Sequence, residues 1–488
     1  MKEDPVSLDP RVVQTIRDLT LMRQLYEGLM RPAMDGTMHH ALAERHEISS
    51  DRLTYTFYLR EAFWNNGDPI TAHDFVYSWS QVLDPSFASV YAYILYPIKN
   101  ARLARAGKCS LDALGIMARD DRTLVVQLEK ATPYFLDLMA FPTYFPINAA
   151  HDAKGGKQFI SSGPFTLSSW RETFEMSLVK NPTYWDKEHV YLDGINLTFI
   201  DDNNTESYLF DKGKLDWLGQ PISNNISTEL IAKLKKEGKL NSYNIDGTFW
   251  LKMNVEKEPF NSEQVRKAFA LAANREEIIH HILQGNQTIA TGPIPPSMRL
   301  TQTPYFQDGA SRQAKALFQQ ALVDNGWTLE TFPLITFSYP PTERNTKIVQ
   351  LLQQQWQEAF GVPIELEAIE NQLYRAKTSM GNYQIGIGEW IADFHDPLAF
   401  LELFKECEGI NDTRWHNNTY STLIESSLIM TDEIERLKTL GEAEKILVDA
   451  MPIIPLYHYA FDYLCNKQIS GVVLSPLGTT DFKSAKIQ

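Results

Sequence analysis

The chain has 488 residues, 43% of them hydrophobic, and carries 46 basic against 61 acidic side chains, a formal charge of −15. That length exceeds what one core fills, so two or three lobes are expected. The acid excess argues against nucleic acid as a partner, because phosphate contact needs a basic surface, and no apolar run approaches the roughly 20 residues of a membrane span.

Met1-Lys2-Glu3-Asp4-Pro5 leads into no apolar segment, so no signal peptide is visible. Either the protein is cytoplasmic or Met1 begins a processed form. Within residues 5–30, Pro5 to Pro10 is followed by an amphipathic helix through Leu19, Met22, Leu25 and Tyr26, with Gly28 as its stop. Leu53 to Arg60 alternates like a strand, and Trp64-Asn65-Asn66-Gly67-Asp68-Pro69 is a turn. Thr71 to Asp74 caps a helix carrying Phe75, Val76, Trp79 and Val82. Thr123 to Leu128 is a second strand.

Ser162-Gly163-Pro164-Phe165 opens a strand. A turn at Asn181-Pro182-Thr183-Tyr184-Trp185 and a strand from Ile195 to Ile200 follow. Gly247 to Asn254 reads as another strand. A long helix from about Glu263 to Leu283 is expected next, with Asn261 and Gln264 as a capping box and Val265, Ala268, Phe269, Ala272, Ile278, Ile279 and Ile282 on its buried face. Helices Arg312 to Asn325 and Lys347 to Phe360 each end at a glycine. They alternate with strands Leu334 to Tyr339 and Ile364 to Ile369. Alternation over 247–461 predicts an α/β lobe with a mainly parallel sheet.

The stretch from Gly386 to Phe404 is the most informative. It begins as an apolar, glycine-containing strand and ends at Asp396-Pro397, which reads as an N-cap followed by the first helical position. Asp393 lies between them, flanked by Trp390 and Phe394. A carboxylate among aromatics can meet a ligand ammonium through charge-assisted hydrogen bonds and ring–cation contact. The alternative is a loop aspartate bonding local amides.

Several separated segments together resemble one family, the periplasmic oligopeptide-binding proteins, which are family 5 extracellular solute-binding components of ABC peptide importers. Ser7-Leu8-Asp9-Pro10 matches its early SLDP, and Tyr26-Glu27-Gly28-Leu29 its YEGL. The run from Trp64 through Pro69-Ile70-Thr71-Ala72-His73-Asp74-Phe75-Val76-Tyr77-Ser78-Trp79 is similar to its most recognisable signature. Asn181 to Asp186 resembles NPxYWD. Pro259-Phe260-Asn261 with Val265-Arg266-Lys267-Ala268 and Asn274-Arg275 resembles another signature, and Trp390 to Pro397 resembles WxADYxDP. The resemblance runs in order from residue 7 to roughly 460.

The resemblance implies an α/β, type II (cluster C) periplasmic-binding-protein-like clamp. Two ligand-binding lobes and an extra lobe would be joined by a hinge. Lobe I would comprise 1–26, 150–246 and 462–488, lobe II 27–149, and lobe III 247–461. The peptide would lie between lobes I and III as an added strand, with hinge crossings near Gly247 and Tyr459 to Asp462. By alignment, Asp393 would pair with the peptide ammonium. Gly388, Trp390 and Ile391 would lie beside the peptide backbone, Phe394 would flank the anchor, and Tyr91 would touch the ligand from lobe II.

Departures from the family concern the ligand carboxylate. Ile387, Asn345 and Thr378 stand where some members carry basic residues. Arg344, Lys347, Arg375, Lys377 and Lys252 are candidate substitutes, although each also reads as a solvated charge. The implied partners are a short peptide and an inner-membrane ABC permease, with no nucleic acid, no cofactor and a monomeric, periplasmic protein. Glutathione, a murein peptide or a metal chelate is the alternative ligand, and a repurposed binding or signalling protein the alternative role. The adjacent pairs His39-His40 and His280-His281 point apart in a strand and are a poor metal geometry. No GxSxG, HExxH or P-loop pattern is present, so an enzyme is not expected. Cys109, Cys407 and Cys465 form no CxxC pair, and their disulfide state is open.

Overall fold

The computed structural model describes residues 1–33, 37–152, 159–223, 226–406 and 410–488. The chain forms two compact units, Met1–Ser227 with Phe461–Gln488, and Thr228–Ala460. No helix among the described residues is long and apolar enough to cross a membrane. Cys109 and Cys465 are half-buried free thiols; Cys407 lies outside the described residues.

The first unit begins with helix Ile16–Leu25, capped by Thr15, whose hydroxyl oxygen accepts from the Asp18 amide at 3.1 Å. The helix stops at Leu25, before Gly28. That glycine serves close packing instead: a Cβ on it would stand 2.5 Å from the Met139 carbonyl oxygen and 2.7 Å from the Phe145 ring. A hairpin of β1 (Met30–Pro32) and β2 (Met38–His40) follows. Next come β3 (Ala43–Ile48), β4 (Thr54–Leu59), β5 (Ile116–Asp120) and β6 (Thr123–Gln127), an antiparallel sheet in the order β3-β4-β6-β5. Along β4 the alternation holds: Tyr55, Phe57 and Leu59 are buried. Helix Ala72–Leu83 starts with a Thr71/Asp74 capping box and buries Phe75, Trp79 and Val82. The Trp79 indole donates to the Tyr144 carbonyl at 2.8 Å.

A second antiparallel sheet contains β7 (Phe165–Arg171), β8 (Glu175–Lys180) and β9 (Gly194–Thr198). β10 (Trp217–Gly219) pairs with the end of a long strand near the C-terminus, and Trp217 stacks on Tyr463 at 4.5 Å. Two of the sequence signatures meet inside this unit. The Tyr184 hydroxyl donates to Glu27, which also accepts from Arg31 Nη1 at 2.8 Å. Arg31 Nε donates to Asp481 at 2.7 Å, and both carboxylates are buried. Breaking such a pair would leave an uncompensated buried charge, so these motif residues hold the fold together.

The second unit is built on β11 (Asn241–Met253), β12 (Thr288–Ile289), β13 (Ile335–Tyr339), β14 (Ile364–Ala368), β15 (Ile385–Ile391) and the part of β16 (Ile453–Cys465) up to Ala460. Their order is β16-β11-β15-β13-β14, with β12 also on β16. The sheet is mixed rather than mainly parallel. Only β13 runs parallel to its neighbours, while β11 with β15 and β12 with β16 are antiparallel. Helices Glu263–Ala272, Ser311–Asn325 and Glu343–Phe360 pack on it around Phe269, Phe318, Ile348 and Trp356.

The expected long helix from Glu263 is broken. It ends at Ala272 with N-cap Ser262 rather than Asn261, Ala273 is extended, and Asn274 caps a new short helix by accepting from the Glu277 amide. The cause is Arg275, which is fully buried. Its guanidinium donates to the carbonyls of Ala270, Ala273 and Pro455 and to Asp308. Those two helix-end carbonyls therefore find their partner in a side chain, and the chain turns.

Candidate functional site

The site is built on β15 and the loop after it, all within the second unit. β11 pairs β15 over its whole length, from Met253↔Ile385 to Gly247↔Ile391. On the other side β13 reaches it only at Ile385 and Gly386. From Ile387 to Ile391 no strand among the described residues pairs that edge. The Ala392 amide donates to Asp246 of β11 at 2.7 Å, so even-numbered residues direct their backbone groups to β11 and odd-numbered ones outward. The Ile387 carbonyl, on the outer side, accepts from the Tyr374 hydroxyl at 2.5 Å. Backbone groups of Glu389 and Ile391 face the open edge.

Side chains on either face hold this edge in place. Gly388 is required by Trp250, its partner on β11: a Cβ on Gly388 would lie 2.3 Å from the Trp250 Nε1. Trp390 is half-buried, and its indole N–H is buried with no acceptor among the described residues. On the opposite face, Ile391 packs where a Cβ on Gly247 would be 3.0 Å from it.

The loop that carries Asp393 is tied down from beneath. Asp246 is fully buried and accepts from the Ser297 hydroxyl and, at 2.5 Å, from His395 Nδ1. Asp396 is buried and clamped by Arg436, whose Nη2 lies 2.8 and 2.7 Å from its two oxygens. Asp396 also accepts from the Leu398 amide at 2.9 Å. It therefore caps the helical turn Leu398–Leu401, with Pro397 in the N-cap position one residue later than expected. Asp393 and Phe394 lie between these two fixed points, both half-buried.

Of the basic candidates, Arg344 is the one beside the open edge. Its guanidinium sits 5.1 Å from the Phe249 ring centroid, 3.3 Å from Glu389 Oε2 and 3.4 Å from the Tyr459 hydroxyl. Tyr459 donates to the same carboxylate. Burial opposes the charge on Arg344, but Tyr457, Tyr459 and Glu389 outweigh it and hold the guanidinium protonated. Lys252 is instead committed to Asp412 and, at 3.0 Å, to Thr378 Oγ1, and burial lowers its pKa. Lys347 pairs with Glu343 and Lys377 with Glu367, while Arg375 is exposed. Tyr91 belongs to the first unit, where its ring packs edge-on against Phe141 at 5.2 Å. Glu389 was not singled out from the sequence, although a lone acid between Gly388 and Trp390 in an apolar run marks it. Asp246 and Trp250 carry no local signal at all.

A cavity of about 260 Å³ in the first unit, lined in part by Asp9, Arg11, Tyr26 and Asp152, is internally satisfied. Arg11 donates to Asp9 at 2.7 Å and to Asp152 at 2.9 Å.

The comparisons agree with this architecture. The sequence pattern of bacterial extracellular solute-binding proteins, family 5, middle region, matches residues 37–412. The oligopeptide-binding protein OppA of Bacillus subtilis is 38% identical over 99% of this chain and 91% of its own. The dipeptide-binding protein DppE of the same organism is 32% identical over 99% and 90%. The solved Escherichia coli murein tripeptide binding protein MppA superposes with a TM-score of 0.82 at 26% identity, covering all of this chain and 97% of that one. The chain belongs to the family 5 bacterial extracellular solute-binding proteins, with their mixed α/β, periplasmic-binding-protein-like type II fold.

Proposed function

We propose that the protein captures short peptides outside the cytoplasm and delivers them to an ABC importer in the membrane, without catalysing a reaction. The observation that carries this reading is the open edge of β15. Glu389 and Ile391 offer backbone donors and acceptors there, and Asp393 follows two residues on. An extended peptide adding along that edge gains main-chain hydrogen bonds that read no sequence, while its ammonium meets Asp393. Relatives named for dipeptides and oligopeptides fit such a backbone-reading mode. Gly388 and Trp390 act as the structural side of the strand, Ile391 and Phe394 line it, and Arg344 is the basic group nearest the edge. In this reading the chain divides into lobe I (1–26, 150–246, 462–488), lobe II (27–149, which carries Tyr91) and lobe III (247–461).

Native mass spectrometry of freshly purified protein tests it, followed by identification of whatever dissociates on denaturation. A ladder of short peptides is expected. A single defined species, such as glutathione or a murein peptide, would replace the general-peptide reading with a specialised one. An empty protein whose melting temperature no peptide library moves would overturn it.

A further inference from the structure

The first unit holds a pair of histidines that peptide capture does not use. His40 on β2 and His46 on β3 face each other with His40 Nε2 and His46 Nδ1 2.9 Å apart. The neighbouring His39 is not part of this pair. Across the β1–β2 hairpin it stands opposite Arg31 while His40 stands opposite Met30, so the two histidine side chains take opposite faces. The partner of His40 comes from the next strand, which adjacency in sequence could not show.

We propose that His40 and His46 form a surface site for a divalent copper or nickel ion, with water completing a tetragonal coordination shell. Imidazole nitrogens bind such ions at about 2.0–2.1 Å, and two of them at right angles around one ion are then about 2.9 Å apart; a tetrahedral ion separates them by about 3.3 Å. The observed 2.9 Å is at present the length of a ring-to-ring hydrogen bond, and it leaves the two nitrogens close enough for one ion to replace that bond once the rings turn.

The rings now meet nearly head-on, with centroids 5.1 Å apart and planes at 44°. One nitrogen donates and the other accepts. Seating an ion requires both rings to turn so that their lone pairs aim at one point beside the present N–N line. His40 is exposed and turns without a packing cost, while His46 is half-buried, 6.0 Å from the Phe57 ring, and sets the site's position. The proton on the donating nitrogen shifts to the other nitrogen of that ring, so the neutral pair releases no net proton. Arg60 is occupied elsewhere, 3.7 Å over the Trp185 ring and bonded to the Ala41 carbonyl. Among the described residues no group of three or more His, Cys, Asp or Glu side chains is placed to hold a metal, so this is a two-ligand, water-completed site.

Titration of the untagged full-length protein with copper(II) and nickel(II), followed by calorimetry and by electron paramagnetic resonance for copper, tests the proposal. One ion per chain is expected, copper binding tighter than nickel as the general affinity order requires, with two imidazole nitrogens in the copper spectrum. His40→Ala and His46→Ala should each weaken binding at least about tenfold, and His39→Ala should not. Because His40 is exposed, His40→Ala carries the test even if His46→Ala lowers stability. Absence of saturable binding at millimolar metal overturns the site. So does binding that survives the double variant, or that follows His39, His280 or His281. Asp393→Ala should bind the metal unchanged, which separates this site from peptide capture.

Discussion

In the proposed reading, Asp393 owes its role to the residues that fix the loop around it. Asp246 below and Asp396 beyond it are both buried, and each is consumed by partners of its own, His395 and Ser297 for the one and Arg436 for the other. The loop is thereby fixed at two points, and in the proposed reading the half-buried carboxylate between them would be pre-organised to meet an ammonium. Asp393→Ala should weaken binding of the natural peptide by roughly 2–5 kcal/mol, since a desolvated ammonium would be left without its counter-charge. The measurement is calorimetry with the peptide identified from the purified protein and with its N-acetylated form. Acetylation should weaken binding to the native protein by a similar amount and should matter little to the variant. Equal affinity of the native protein for both peptides would remove Asp393 as the anchor. Arg344 is a different case. Its charge is already matched by Glu389 and buttressed by Tyr459, so a ligand carboxylate would have to compete for it.

At the scale of the element, β15 depends on a tryptophan and a glycine in register. Trp250 lies across from Gly388, and its indole occupies the space a side chain would need. Gly388→Ala should therefore destabilise the second unit by about 1–3 kcal/mol through overpacking, because an indole ring moves less readily than a flexible chain. Combining it with Trp250→Leu should recover part of that loss, a coupling of roughly 0.5–3 kcal/mol readable in thermal or denaturant melts. Strictly additive losses would show that the clash is relieved elsewhere. The same strand shows what a sequence conveys and what it does not. Its apolar run and terminal Asp-Pro made the strand and the helical turn after it legible. Strand direction was not, because alternation of strands and helices is equally compatible with β11 and β15 running antiparallel. The break after Ala272 was hidden for a related reason: Ile278 and Ile279 continue the apolar face past it, while the buried guanidinium of Arg275 that ends the helix looks in sequence like a surface charge. The cluster of Arg344, Glu389 and Tyr459 joins three elements and has no local spacing to find.

For the molecule as a whole, two buried titratable groups in the second unit set opposing dependences of stability on pH. Glu444 is buried, accepts from the Tyr305 hydroxyl at 2.7 Å, and is pushed by burial from the usual 4.5 to about 7. The folded state then binds its proton more tightly than the unfolded chain, so stability falls as pH rises from about 4.5 through about 7. His458 is buried between strands, its Nδ1 2.8 Å from Thr248 Oγ1, and burial lowers it from 6.5 to about 3. The Thr248 hydroxyl donates to the Pro293 carbonyl at 2.7 Å, so His458 Nδ1 is the donor to Thr248, and burial is what disfavours the charged ring. Its contribution is present above about 6.5 and is lost as pH falls toward 3. Between about 4.5 and 6.5 the two slopes oppose each other; above that range Glu444 alone acts. Glu444→Gln keeps the shape and an acceptor for Tyr305 but removes the charge. It should raise stability at pH 8 by up to about 3 kcal/mol, one pKa unit being about 1.4 kcal/mol, and should leave it nearly unchanged at pH 4.5. Melting temperatures of the two proteins across that range decide the matter: curves that diverge with rising pH place the penalty on Glu444, and parallel curves would mean that the carboxyl is solvated in the folded chain.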